Sequence, residues 1–148
     1  MRPGRERGVR IGVDVGSVRV GIAASDPDGI LAVPVTTLRR VRRTGEDLDQ
    51  IAAIVRERDA VEVIVGLPTN LSGREGPAAA AAREYVTQLE PRVAPVPVRM
   101  ADERMTTVVA HRRMAETGLR SRSRRALVDQ EAAVAILQSY LDRPSDQP

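Results

Sequence analysis

One hundred and forty-eight residues is the length of one ordinary domain, enough to bury a core without covalent staples. The absence of Cys excludes disulfides, thiolate metal sites and cysteine nucleophiles, and the single histidine, His111, leaves no partner for a two-histidine metal site. All 23 basic residues are Arg, which excludes Schiff-base and P-loop lysine chemistry and leaves the guanidinium, the better fork for phosphate oxygens, as the only side-chain cation besides His111.

The net charge of +3 hides a partition: nine Arg against four acids over 1–43, six against eleven over 44–103, and eight against five over 104–148. The stretches with Arg39, Arg40, Arg42, Arg43 and with Arg112, Arg113, Arg120, Arg122, Arg124, Arg125 either bind phosphates or lie on a solvated face, and composition leaves both open. With no Phe or Trp, the core must be aliphatic. No apolar run approaches a membrane span, and the basic N-terminus lacks the apolar stretch of a signal peptide. A soluble, cytoplasmic protein with no membrane partner is expected.

In chain order, 9–15 (VRIGVDV) alternates apolar and small or charged residues, 18–24 (VRVGIAA) alternates again, and the Gly16-Ser17 turn between them predicts a hairpin. A third strand is predicted over 30–38, disturbed by Pro34. The period then changes, and Leu48, Ile51, Ala52 and Val55 stripe a helix over 45–58 with Glu46 and Asp47 at its positive end. A short buried strand follows at 61–65, then a loop at 67–76. Pro77 starts an Ala-rich helix running to about 89, and 96–100 is a strand that Pro97 assigns to an edge or a bend. Helices are predicted from Thr106 or Thr107 to Gly118 and over 126–141. The whole of 1–148 reads as one domain, with 1–7 and 143–148 as flexible tails. An antiparallel meander followed by βα units implies an α/β fold: a mixed five-stranded sheet with helices on both faces.

Acids stand out of place at three positions. Asp14 interrupts an otherwise apolar strand, and Gly12, Gly21 and Ala23 share its face, leaving open space above the carboxylate. Asp102 and Glu103 follow a strand directly, where open α/β sheets place ligands. Asp129 lies on the apolar stripe of the last helix with Ala126, Ala132, Ala133 and Ile136. A buried carboxylate is costly enough to be rare. Each acid has a structural reading as a turn cap, an ion pair or a helix N-terminal charge, but together they point to one site. Carboxylate oxygens without His or Cys select Mg²⁺ or Mn²⁺, the ions of phosphodiester cleavage. Three such charges with no Lys or His nearby would repel, so Asp129→Asn is expected to stabilise the metal-free protein.

The stretches IGVDVGSVRVGIA (11–23), IVGLPTNLSG (64–73), ADERMTT (101–107) and VDQEAAVAILQSYL (128–141) resemble, in order and spacing, the YqgF/RuvX family. The resemblance spans nearly the whole chain and implies an RNase H-like fold related to the Holliday-junction resolvases. It implies a metal-dependent nuclease with Asp14, Glu103 and Asp129 as both the catalytic and the metal-binding cluster. Its implied role is processing the 5′ end of pre-16S ribosomal RNA in ribosome biogenesis, with resolution of four-way DNA junctions as the alternative. The family usually carries a basic residue after the Gly-Ser turn. Here that residue is Val18, so Arg19 or a neighbouring Arg would have to serve.

Candidate phosphate contacts are Arg19, Thr69, Asn70, Arg104, Arg122, Arg124 and Arg125. With two Tyr as the only aromatics, stacking of splayed bases should contribute little, which favours the backbone of structured RNA or branched DNA as the partner. Either a monomer or a homodimer is compatible, paired cuts at a junction requiring the dimer. The rival outside enzymology is a non-catalytic nucleic-acid-binding domain on the same fold.

Overall fold

The computed structural model of the chain describes residues 6–69, 72–102 and 122–143, the side chains of 122–125 excepted. The elements are β1 (Arg10–Val15), β2 (Arg19–Ser25), β3 (Ala32–Arg39), α1 (Glu46–Glu57), β4 (Glu62–Leu67), α2 (Pro77–Val93), β5 (Val98–Asp102) and α3 (Arg122–Leu141). They form one five-stranded sheet in the order β3-β2-β1-β4-β5. β1 pairs antiparallel with β2, and β2 with β3, while β1–β4 and β4–β5 are parallel. This is the expected meander followed by βα units. The helix predicted between Thr106 or Thr107 and Gly118 lies outside the described residues.

The strand period sorts the core onto two faces. Ile11, Val13, Val20, Ile22, Val63 and Val65 face α1 and α2, where Leu48, Ile51, Val55, Tyr85 and Leu89 complete one cluster. Ala23, Ile64 and Ala101 face α3, packing against Ala132, Ala133, Ile136, Leu137 and Leu141. Both Pro expectations hold. Pro34 sits on edge strand β3 beside a register shift opposite Ile22 and Ala23, and Pro97 precedes the other edge strand, β5. Helix α2 continues past Pro91 to Val93, beyond its expected end, because buried Leu89 and Val93 hold its last turns on the sheet.

Glycine decides how closely α3 approaches. A Cβ on Gly12 would stand 2.7 Å from Leu137 Cβ and 3.0 Å from the carbonyl oxygen of Ala133. One on Gly21 would overlap the carbonyl of Asp129. The two glycines thus form a trough across β1 and β2 in which α3 lies backbone to backbone. Polar side chains then fix α3 to edge strand β3. Gln138 accepts from the backbone N–H of Ala32 and donates to the carbonyl of Ile30, each at 2.9 Å, while Thr37 donates to the carbonyl of Ala126 at 2.7 Å.

Candidate active site

Parallel pairing brings the C-terminal ends of β1, β4 and β5 to one end of the sheet, where antiparallel β2 begins. Asp14 is at that end, opposite Gly21 in the ladder and 2% exposed. Its position is one residue beyond the Val13–Val65 pair, beside Gly66, which in turn pairs with Ala101. The open space that the sequence predicts above Asp14 is not there: α3 covers this face at Gly21, and the carboxylate is buried under it. The backbone of Asp129 presses onto Gly21 from α3, and the residue is 3% exposed. One glycine therefore lies beneath two buried aspartates contributed by opposite ends of the chain.

The expected repulsion among these acids considered Lys and His as partners, and at Asp129 the partner is an Arg. Arg19 at the start of β2 donates from Nε to Asp129 Oδ2 at 2.7 Å. Arg19 and Gly21 share a strand face, so the guanidinium reaches the first turns of α3 along the trough. Sequence reasoning assigned Arg19 to phosphate and missed its carboxylate partner, which lies 110 residues away.

Other expected residues are distributed around this end. Thr69 follows β4, and its hydroxyl donates to Asp102 Oδ1 at the end of β5 at 2.9 Å, tying the loop to the neighbouring strand. Thr69 also bridges to Glu75, which closes the loop, and Glu75 takes both Nε and Nη2 of Arg83 at 2.7 and 2.6 Å. Arg83 holds the Glu75 carboxyl below its usual range. Asn70, Glu103 and Arg104 lie outside the described residues. Arg122, Arg124 and Arg125 fall in the opening turns of α3. Among the described residues no group of three or more His, Cys, Asp or Glu side chains is placed to hold a metal. The two aspartates nonetheless present hard oxygen donors of the kind Mg²⁺ and Mn²⁺ take.

Two buried networks were not legible in the sequence. At the opposite end of the sheet, Glu62 accepts from Arg10 Nε at 2.6 Å, from Arg99 Nε at 2.7 Å and from the Tyr140 hydroxyl at 3.1 Å. Beneath α1, Asp47 accepts from Tyr85 at 2.6 Å and from the Val41 amide at 3.0 Å. Burial first, and then Asp47, push the Tyr85 phenol well above its ordinary range. The Arg40 guanidinium lies 5.1 Å from the Tyr85 ring centre and donates to the carbonyl of Gly16 at 3.1 Å, bracing the β1–β2 turn beside Asp14.

A family model described as "RuvX: Holliday junction resolvase" matches residues 8–143. A protein of Frankia casuarinae named "Putative pre-16S rRNA nuclease" is 69% identical over 134 residues, covering 90% of this chain and 66% of that protein. Proteins of the same name from Mycobacterium ulcerans and Mycobacterium sp. (strain KMS) are 54% and 56% identical and cover 97% and 96% of this chain. The chain spans just under two thirds of the Frankia relative's length, and 84% and 86% of the other two. Among solved structures, T. thermophilus RuvC in complex with Holliday junction substrate gives a TM-score of 0.58 at 15% identity, over 90% of this chain and 93% of that chain. A second Thermus thermophilus RuvC structure gives 0.50 at 16% identity with the same coverage. The likeness is one of fold, the RNase H-like mixed sheet.

Proposed function

The chain belongs to the RuvX family, and from that membership we propose that it hydrolyses phosphodiester bonds in pre-16S ribosomal RNA, processing its 5′ end in the cytoplasm. The observation that carries the reading is the placement of Asp14 and Asp129, both buried, on either side of Gly21 at the strand ends. A non-catalytic nucleic-acid binder has no use for two buried carboxylates there, because burying them is costly and adds nothing to its hold on phosphate. Asp14 and Asp129, with Glu103, would hold Mg²⁺ or Mn²⁺, whose hard-ion chemistry suits a wholly carboxylate donor set. A divalent cation so held supplies an activated water and neutralises charge on the leaving oxygen.

The protein's own residues position the substrate. Thr69, hydrogen-bonded to Asp102, and the candidates Asn70 and Arg104 that follow β4 and β5 in the sequence would contact phosphate. Arg122, Arg124 and Arg125 occupy the positive end of α3, where cations are disfavoured by the helix dipole and the first turn holds no acid. Their accumulation there fits a surface that meets phosphate. Four-way DNA junctions are the second reading, favoured by the description of the matching family. Among the described residues no helix is long and apolar enough to cross a membrane.

One preparation assayed on a labelled pre-16S 5′ leader and on a matched four-way DNA junction separates these readings. Faster Mg²⁺-dependent cleavage of the RNA is expected. Faster cleavage of the junction favours the second reading, and binding of either without cleavage overturns both.

A further inference from the structure

The Arg19–Asp129 pair differs from the other buried ion pair on the α3 face of the sheet. Arg10 is locked: its side chain is 5% exposed and donates from Nε to Glu62 and from its two terminal nitrogens to the carbonyls of Gly8 and Glu6. Arg19 is 22% exposed, and among the described residues its side chain makes the single hydrogen bond to Asp129, whose own side chain is 4% exposed. The pair thus has a dry acid and a partly wet base. The backbone around Arg19 is fixed, its carbonyl accepting from the Gly16 amide at 2.9 Å and its position paired with Arg39 in the ladder. One hydrogen bond therefore holds the guanidinium in place, and a rotation of the side chain alone releases it toward solvent.

Two buried carboxylates on either side of one glycine need positive charge close by, because desolvated anions left without it are costly. In the structure Arg19 provides that charge at Asp129. We infer that Arg19 is an internal counter-cation of the site: its guanidinium holds the place on Asp129 that a divalent cation takes, so that Arg19 and the metal compete for one carboxylate. This rests on the nuclease reading and goes beyond it by giving Arg19 a role in cation loading. Displaced from Asp129, Arg19 turns its five N–H donors to the mouth of the site, where a substrate phosphate would meet them. Arg19 is then a positioning residue, one that keeps Asp129 in place without metal and passes to the substrate with it.

The test is calorimetric titration of Mg²⁺ alone into the full wild-type chain and into Arg19→Gln. Removing a competing charge-assisted hydrogen bond should lower the Mg²⁺ Kd on the order of tenfold. An equal or weaker affinity in a folded Arg19→Gln overturns the inference while leaving the metal reading intact. No Mg²⁺ binding by either protein overturns the metal reading, and the inference with it. A second measurement needs no variant. The Arg19 Nε–H resonance of the wild type should be protected from exchange in chelator and lose that protection as Mg²⁺ is added. Protection that persists at saturating Mg²⁺ contradicts displacement.

Discussion

The Nε of Arg19 lies 2.7 Å from Oδ2 of Asp129, so one of the acids expected to repel has a cation on it. The consequence for Asp129→Asn reverses the sequence-based expectation. The substitution leaves a largely buried guanidinium facing a neutral amide, and the metal-free variant should lose about 1–2 kcal/mol of stability, reduced from the cost of a fully buried pair because Arg19 is partly solvated. Urea unfolding in chelator measures it. A variant as stable as wild type, or more so, would mean that repulsion among the acids outweighs the pair.

Gly21→Ala forces a methyl into the Asp129 carbonyl, and both partners are backbone. No rotamer change relieves that, so α3 must move off the sheet. A loss of about 3 kcal/mol is expected, at the upper end of overpacking costs, together with loss of cleavage because Asp129 moves with the helix. Gly12→Ala meets a side-chain atom, Leu137 Cβ, and a backbone oxygen at 3.0 Å, and should cost less. Thermal melts of the two variants rank them, and equal costs would contradict the trough.

Glu62→Gln removes the charge shared by Arg10, Arg99 and Tyr140 at the far end of the sheet. With Arg10 buried, the variant should lose about 3 kcal/mol. Because the hub is remote from Asp14, cleavage below the melting temperature should stay near wild type. Lost cleavage in a folded variant would place Glu62 in the active machinery.

Asp26 accepts backbone N–H groups from Leu31, Ile30 and Asp28, at 2.7, 2.9 and 3.0 Å. These bonds, the one from Leu31 foremost, hold its carboxyl below the ordinary 3.8 in the folded protein. A lowered folded pKa means that the stability from its charge is complete above the unfolded value and is lost as pH falls through the folded one. Asp26→Asn should therefore melt below wild type at neutral pH, with a gap that narrows as pH drops beneath 3.8. A gap independent of pH would assign the effect to hydrogen-bond geometry rather than charge.

Much of this was legible because period carries burial. The alternation in 9–15 and 18–24 placed Asp14 on one face with Gly21, and the apolar stripe of the last helix placed Asp129 against the sheet. What period does not carry is the partner of a charge. Arg19 to Asp129 spans 110 residues and Arg10 to Glu62 spans 52, and nothing local in either segment names the other end. Glu62 reads as an ordinary polar strand start, and it becomes a buried hub only when β1, β5 and α3 close around it. Asp47 likewise reads as a charge at the start of one helix and Tyr85 lies in another, and only the packing of α1 on α2 joins hydroxyl to carboxylate.

The most direct test of the central claim is the rate at which wild type, Asp14→Asn and Asp129→Asn cleave a labelled pre-16S 5′ leader in Mg²⁺, each confirmed folded. If the two buried aspartates hold the cation, each variant should fall by on the order of a hundredfold or more, as expected when a group acting on the transition state is removed. Cleavage by either variant at the wild-type rate would contradict the assignment of that aspartate to the active site.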